Sequence, residues 1–150
     1  MTFIHDINPV LFSFGPLEIR YYGLFYALGF LITYIFLRHA VKQKKIGLSS
    51  EELDALLVYL MIGTVVGARL FEVIFYNPSY YLANPLKIFA VWEGGLSFHG
   101  GLLGVFLATY LFCKKKNYSF FKLADLIVIP AAFALALGRL GNFMNGELYG

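Results

Sequence analysis

Four long apolar runs, separated by short polar stretches, set the pattern of this chain. They predict helices over residues 21–41, 56–76, 96–113 and 123–143. A helix needs roughly 20 residues, most of them apolar, to cross the hydrocarbon core of a bilayer, and each run comes close to that length. The pattern therefore predicts an all-α, polytopic helical membrane protein. About four transmembrane helices would form a single transmembrane domain over residues 1–150.

Two local patterns add detail to these helices. Residues 49–52, Ser-Ser-Glu-Glu, are typical of a capped helix start that leads into the second run. The pairs Gly63 with Gly67 and Gly100 with Gly104 have the spacing at which small residues let two membrane helices approach closely. We therefore expect these four glycines to lie at helix contacts.

Composition supports a membrane environment. Of the 150 residues, 59% are hydrophobic and 14% are charged, whereas charged residues make up about 25% of an average soluble protein. The formal charge is +3 and the lysines stand in short clusters, which indicates contact with anionic lipid headgroups and argues against nucleic acid. Cys113 is the only cysteine, so the sequence excludes a cysteine-based metal site here. We expect the lipid bilayer as a partner, and neither a metal nor another cofactor.

Basic residues are distributed unevenly over the short connections between the runs. The connections after the first and third runs hold most of them: Arg38, Lys42, Lys44, Lys45, Lys114, Lys115, Lys116 and Lys122. The connection after the second run holds only Lys87. Because basic loops tend to stay in the cytoplasm, we predict that the first and third connections are cytoplasmic. The amino terminus, residues 77–95 and the stretch beyond Arg139 would then lie outside.

Four ionisable side chains fall near the outer ends of the runs under this orientation: Arg69, Glu72, His99 and Arg139. A charge at membrane depth is costly, so each of them prompts a functional hypothesis. Arg69 and Glu72 are three residues apart, a spacing at which two helical side chains can touch. A structural ion pair between them is favoured over a catalytic role.

His99 lies between two pairs of glycines, Gly94-Gly95 and Gly100-Gly101. Glycines allow a backbone or a bulky substrate to approach closely. An imidazole in such a place can act as a general base or proton shuttle near neutral pH. The alternative is an interfacial histidine that is hydrogen-bonded to a carbonyl or to water.

The densest polar patch is residues 138–150, Gly-Arg-Leu-Gly-Asn-Phe-Met-Asn-Gly-Glu-Leu-Tyr-Gly. In a helix Arg139, Asn142 and Gly146 share one face, while the glycines make a broken segment equally compatible with the sequence. A planar guanidinium suits phosphate, so an arginine at headgroup level with Asn142 and Asn145 beside it indicates a phosphate site. The alternative is an arginine that only snorkels to the interface.

Two segments resemble the prolipoprotein diacylglyceryl transferases. Residues 138–150 are similar to the signature of that family, and residues 97–104, Ser-Phe-His-Gly-Gly-Leu-Leu-Gly, resemble its histidine motif. Shorter similarities cover the rest of the chain: Asn8-Pro9-Val10, Gly15-Pro16, Tyr22-Gly23-Leu24, Gly67-Ala68-Arg69 and Phe75-Tyr76-Asn77. Glu72 matches nothing fixed in the family and is interpreted as a scaffold residue.

The resemblance implies a transferase of the bacterial inner membrane. It would move the diacylglyceryl group of phosphatidylglycerol to the lipobox cysteine thiol in the signal peptide of a prolipoprotein, forming a thioether as the first step of lipoprotein maturation. Matching positions imply catalytic roles for His99 and Arg139. They imply substrate binding by the following residues: Tyr22, Arg139, Asn142, Asn145, Glu147 and Gly150. For Tyr22, an aromatic belt at the membrane interface is the alternative.

The resemblance also sets expectations for the whole molecule. Family members have further spans, an extracytoplasmic head and a further essential arginine, so we expect the natural protein to continue beyond Gly150 as a larger bundle. Residues 1–150 alone should be inactive. Because polar groups are costly in hydrocarbon, His99, Arg139 and Asn142 should face one interior region near the outer end of the bundle.

Two other classes of function remain open. A transporter for an anionic lipid or a small anion would also use an intramembrane arginine, although the sequence shows no internal repeat of the kind that many transporters have. A non-catalytic membrane assembly subunit would use the glycine packing faces without a reactive set of side chains.

Overall fold

The computed structural model describes residues 6–15 and 17–146, which form two compact units. One unit contains the residues before Leu48 together with those from Asp125 onwards, and the other is Leu48–Ala124. The elements in chain order are strands β1 (Val10–Phe14) and β2 (Leu17–Arg20) and helices α1 (Tyr21–Lys42), α2 (Ser50–Phe71), α3 (Pro78–Ala83), α4 (Phe98–Lys116) and α5 (Phe120–Asn145). A helix coincides with each predicted apolar run, and the helical fold class is confirmed. The single transmembrane domain stays a prediction.

The first unit opens with a hairpin that the sequence pattern did not predict. β1 and β2 pair antiparallel, with Phe12 opposite Ile19 and Ser13 opposite Glu18. Gly15, between the strands, has φ +61°, a left-handed conformation that glycine adopts without steric cost. Strands of five and four residues are too short for an alternation of apolar and polar side chains to be recognised in the largely apolar residues before α1.

In this unit α1 packs closely against the later part of α5. A Cβ added to Gly29 would lie 2.9 Å from the Cβ of Ala134, and a Cβ added to Gly141 would lie 2.9 Å from Cδ2 of Tyr22. Neither glycine can carry a side chain unless a neighbour moves. Small residues therefore set the separation of these two helices, as is common in membrane proteins.

The course of α5 decides between a helix and a broken segment, the two conformations that the sequence left open for the polar patch. The helix passes through Pro130, which lacks an N–H, and continues to Asn145. Gly146 then has φ +67° and donates its N–H to the carbonyl of Phe143 at 3.1 Å. A left-handed glycine is a usual helix end. The helical alternative is therefore the observed one as far as Asn145.

In the second unit α2 and α4 pack along the four glycines predicted to lie at helix contacts, and that prediction is confirmed. A Cβ on Gly63 would lie 2.6 Å from the Cβ of Ala108, and one on Gly104 would overlap the carbonyl oxygen of Gly63. Gly67 and Gly100 meet each other's backbone in the same way. The two backbones approach so closely that a side chain at any of these four positions would collide with the facing helix.

The start of α2 has the predicted cap. The Ser49 hydroxyl accepts the N–H of Glu52 at 3.1 Å, and the Glu52 carboxylate accepts the N–H of Ser49 at 3.0 Å. This reciprocal pair satisfies two backbone donors at the helix start. Glu52 also lies 3.4 Å from Nζ of Lys116 at the end of α4, so an ion pair joins the two helices there.

The connection between α2 and α4 is ordered along its length. α2 runs into a π-helical turn, Glu72–Tyr76, which is followed by α3. Two 3-10 turns, Pro85–Phe89 and Val91–Glu93, complete the path to α4. Residues 77–97 are called the connecting segment below.

The helices of the described residues fit a membrane environment. Three of them, Tyr21–Lys42, Ser50–Tyr76 and Phe120–Asn145, are long and apolar enough to cross a membrane, judged by length and composition. α4, whose 19 residues end in three lysines, is not among them, so three helices rather than the four predicted are long and apolar enough. Large apolar side chains are exposed on α1, α2, α4 and α5, as expected for surfaces that face lipid. The chain is a multi-pass membrane protein.

Candidate functional site

His99 is the second residue of α4, and its side chain is exposed. The hydroxyl of Tyr76, from the π-helical turn, lies 3.3 Å from its Nδ1. The rings of Phe71 and Phe98 lie 6.4 Å and 5.7 Å from the imidazole, centroid to centroid. Nε2 has no hydrogen-bond partner among the described residues. The imidazole is therefore contacted on one side and open to a substrate on the other.

The first of the two glycines that follow His99 admits the close approach of a backbone, one of the two possibilities that the sequence left open. Gly100 is buried against the carbonyl of Gly67 and the Cβ of Phe71. Gly101 is buried as well. Both glycines therefore face α2, which leaves the exposed side of His99 as the approach for a ligand.

The first turn of α4 is fastened to the end of α2. The Ser97 hydroxyl accepts the N–H of Gly100 at 3.3 Å and so caps α4. The N–H of Ser97 donates to the carbonyl of Ala68 at 3.1 Å. The position of His99 therefore depends on the path of the residues just before it.

Arg69, in the last turn of α2, is 5% exposed, and the connecting segment surrounds its guanidinium. The guanidinium donates hydrogen bonds of 2.7 to 2.9 Å to the carbonyl oxygens of Lys87, Ile88, Ala90, Gly94 and Gly95 and to the hydroxyl of Tyr81. Within the part of the chain that the structure describes, no ion pair joins Arg69 to Glu72. The Glu72 carboxylate instead accepts the side-chain amide of Asn77 at 2.6 Å. The predicted ion pair is wrong, because the loop carbonyls take its place.

An open polar cavity of about 290 Å³ lies beside Arg69 in the second unit. The side chains of Glu72, Lys87 and Glu93 contribute to its wall. Lys87 Nζ lies 2.6 Å from a carboxylate oxygen of Glu93, and this hydrogen bond raises the pKa of Lys87. Both cations of the cavity are therefore already engaged, one by carbonyls and the other by a carboxylate.

Arg139 and Asn142 lie three residues apart on one face of α5, in the first unit. Arg139 is exposed and makes no hydrogen bond or ion pair within the described residues, while Asn142 is half-buried. Between them, Gly141 is buried against the ring of Tyr22. The guanidinium of Arg139 thus keeps its planar set of donors for a ligand.

The remaining candidates are distributed as follows. Tyr22 is half-buried on α1, and its hydroxyl donates to that of Tyr26 at 3.1 Å. Asn145 is half-buried at the end of α5. Glu147 and Gly150 lie outside the described residues. His99 belongs to the second unit and the other described candidates to the first, so their convergence on one region stays a prediction.

Comparison with known proteins identifies the family. The family model described as prolipoprotein diacylglyceryl transferase matches residues 9–150. The chain belongs to this family. The match contains every candidate residue and both motifs on which the resemblance was based, so the predicted relationship to prolipoprotein diacylglyceryl transferases is confirmed.

Individual members of the family are similar to this chain over 97% to 100% of its length. A phosphatidylglycerol–prolipoprotein diacylglyceryl transferase of Geobacter sulfurreducens is 51% identical over 150 residues, which are 100% of this chain and 57% of that protein. Transferases of the same name from Dechloromonas aromatica and Rickettsia felis are 51% and 45% identical over 97% and 100% of the chain. The matches cover 55% and 58% of those proteins. The chain therefore spans little more than half the length of the relatives it matches.

Two contacts in the second unit could not be predicted from the sequence. Tyr76 was noted only as part of a shared tripeptide, although its hydroxyl faces His99. Arg69 was assigned to the wrong partner, although the paired glycines before α4 could have drawn attention to their carbonyls. In both cases the partners are far apart in sequence, so no local spacing reveals them.

Proposed function

We propose that the natural protein transfers the diacylglyceryl group of phosphatidylglycerol to the lipobox cysteine thiol of a prolipoprotein, forming a thioether and releasing glycerol phosphate. The observation that carries this proposal is the 51% identity, along the entire chain, to a relative named for that donor and that acceptor. The exposed His99 and Arg139 support it, because the reaction requires a proton acceptor and a cation at phosphate.

The chemistry divides into two tasks. The thiol sulfur attacks the carbon of the diacylglyceryl group that carries the phosphate. A carbon–sulfur bond forms as the bond between that carbon and the phosphate oxygen breaks. The electron pair of the broken bond stays on the phosphate oxygen, and the thiol proton passes to a base. His99, whose Nε2 is open, is the base or proton shuttle.

Arg139 holds the departing phosphate. Its guanidinium is exposed, and a planar fork can donate two parallel hydrogen bonds to phosphate oxygens. Asn142, on the same face of α5, and Asn145 add amide donors. Tyr22, Glu147 and Gly150 complete the substrate-binding set by family position.

The reaction takes place in the bacterial inner membrane, at its outer face. Lysine clusters after α1 and at the end of α4 favour cytoplasmic loops there, which puts the amino terminus and the connecting segment outside. His99 and Arg139 then lie at the level of the outer headgroups, where phosphatidylglycerol and a lipobox cysteine can meet.

The test uses the full-length natural protein in lipid nanodiscs with phosphatidylglycerol labelled in its diacylglyceryl part and a lipobox peptide. Label should move to the peptide in a thioether, with glycerol phosphate released in equal amount, and a peptide with serine in place of the cysteine should receive none. Movement of labelled lipid between leaflets without a peptide product would favour a transporter. An unchanged lipid and peptide pool would favour an assembly subunit.

A further inference from the structure

The guanidinium of Arg69 joins the end of α2 to two distant parts of the connecting segment. Its Nε and Nη2 donate to the carbonyls of the first 3-10 turn and its end, Lys87, Ile88 and Ala90. Its Nη1 donates to the carbonyls of Gly94 and Gly95, which lie shortly before α4. A guanidinium has five N–H donors in a rigid plane, and here all three nitrogens are engaged. Arg69 therefore holds the backbone path that leads into α4.

The burial of Arg69 makes this arrangement demanding. The side chain is 5% exposed and has no carboxylate within ion-pair distance among the described residues. A buried charge is costly unless polar groups replace its water, and here carbonyl dipoles do so. Tyr81 adds its hydroxyl at 2.9 Å and its ring at 5.1 Å from Cζ. The charge and the folded segment therefore stabilise each other.

We propose that Arg69 is a positioning residue for His99. Ser97, two residues after Gly95, caps α4 and donates its N–H to the carbonyl of Ala68, and His99 lies two residues further on. If the carbonyls of the segment are released, the residues that lead into α4 lose one of the contacts that hold them to the end of α2. This inference rests on the proposed function, in which His99 takes the thiol proton, and it assigns no contact between Arg69 and substrate.

Lysine cannot replace arginine in this role. A lysine ammonium has three donors on one nitrogen atom, whereas the acceptors here surround the three nitrogen atoms of a planar guanidinium. Arg69→Lys keeps the charge but leaves several carbonyls, most of them part-buried, without donors. A carbonyl that is shielded from water and loses its donor costs free energy, so the segment should loosen locally while α2 and α4 stay packed through their glycines.

Alanine substitutions at Gly94 and Gly95 distinguish two effects, backbone strain and displacement of the Arg69 guanidinium. Both have positive φ, +90° and +69°, so alanine is strained at either position. A Cβ on Gly94 would meet nothing within 4 Å, whereas a Cβ on Gly95 would lie 2.9 Å from both Nη1 of Arg69 and the hydroxyl of Tyr81. Strain alone predicts a larger effect at Gly94, whose φ lies further from the left-handed helical region. Displacement of Arg69 predicts the larger effect at Gly95.

The experiment compares Arg69→Lys with Arg38→Lys in the full-length protein. Arg38 is a suitable control because its guanidinium also lies near a tyrosine ring, 5.6 Å from that of Tyr34, but makes a single side-chain hydrogen bond. Per folded molecule, Arg69→Lys should lower kcat by about tenfold to a hundredfold, the loss that a small misplacement of a catalytic group produces. KM for phosphatidylglycerol should stay unchanged, and Arg38→Lys should behave like the natural protein.

Hydrogen exchange supplies a second readout that does not depend on activity. In Arg69→Lys, the amides of residues 88–98 should exchange faster, while those around Gly63 and Gly104 should keep their protection. Gly95→Ala should show the same pattern more strongly than Gly94→Ala, with the larger loss of kcat.

The outcomes separate the two proposals. A normal kcat per folded Arg69→Lys molecule, or unchanged exchange in residues 88–98, overturns the positioning role. A larger loss in Gly94→Ala than in Gly95→Ala overturns it as well, since strain would then explain the data. If the natural protein itself transfers no diacylglyceryl group, the proposed function fails, and the exchange comparison still decides whether Arg69 holds the segment.

Discussion

Arg69 and Arg139 differ in what surrounds the guanidinium. Arg69 is buried and donates to six acceptors, so it has no donor left for a substrate. Arg139 is exposed and has no hydrogen bond within the described residues. The same residue type therefore supports a loop in one place and is available for phosphate in the other. Of these two arginines, only Arg139 is proposed to bind the phosphate.

Arg139→Lys tests that role at the scale of one side chain. Lysine keeps the charge but loses the planar fork, so in the full-length protein it should impair transfer nearly as much as Arg139→Ala. Loss of a charged hydrogen bond made in the transition state costs about 2.7 to 4 kcal/mol, roughly a hundredfold to a thousandfold in rate. Steady-state kinetics at equal protein level measure the effect. Near-normal turnover of Arg139→Lys would support a snorkelling arginine instead.

Tyr76→Phe tests the contact on His99. The substitution removes only the hydroxyl that lies 3.3 Å from Nδ1 and keeps the ring. One neutral hydrogen bond is worth about 1 kcal/mol, so kcat should fall by about three- to tenfold. Tyr110→Phe, an exposed tyrosine of α4 whose ring packs on Phe120, is the control and should leave kcat unchanged. Equal effects of both substitutions would mean that the hydroxyl of Tyr76 does not orient the imidazole.

At the scale of elements, the contact of α2 with α4 determines where the site can be. Backbone atoms of Gly63, Gly67, Gly100 and Gly104 meet across the two helices. Close backbone packing tolerates no added volume and allows little sliding between the helices. The end of α2, the π-helical turn and the start of α4 thus share one rigid base, on which Tyr76 and His99 are brought together.

Gly104→Ala and Gly101→Ala separate packing from helix propensity. Both replace a buried glycine in α4 and gain the same helix propensity. A Cβ on Gly104 would overlap the carbonyl of Gly63, whereas one on Gly101 would lie 3.7 Å from its nearest neighbours, an ordinary contact. Gly104→Ala should therefore destabilise the protein by about 1 to 3 kcal/mol, and Gly101→Ala should be neutral or stabilising. Thermal unfolding of the full-length variants in detergent measures both, and equal stability would contradict the packing geometry.

At the scale of the whole molecule, the distribution of basic residues predicts the orientation in the membrane. Lysines are concentrated after α1 and at the end of α4, and the connecting segment carries Lys87 in a salt bridge with Glu93. One basic residue in this segment, against several in each of the other two connections, predicts that the segment lies outside, where the proposed reaction would take place.

Reporter fusions to the full-length protein test this orientation. Reporters placed after Lys45 and after Lys116 should report the cytoplasm, and one placed near Asn84 should report the outside. The reason is the lysine asymmetry, which is independent of family membership. The opposite pattern would place His99 toward the cytoplasm and would contradict a reaction at the outer leaflet.

The sequence by itself determined the features that depend on local spacing and composition. The apolar runs located the helices, Ser49 and Glu52 located a cap, and the glycine pairs located a helix contact. The polar motifs indicated the family and its candidate residues. Each of these signals lies within one or two helical turns, where backbone geometry dictates which side chains are neighbours.

Only the tertiary structure decided which distant groups meet. Arg69 bonds to carbonyls 18 to 26 residues away, and the hydroxyl of Tyr76 reaches a ring 23 residues away. The ring of Tyr22 packs on Gly141 at the other end of the chain. Such contacts depend on how a connecting segment folds back and which backbone groups it leaves to be satisfied. A buried arginine therefore took carbonyl partners that no spacing along the sequence could indicate.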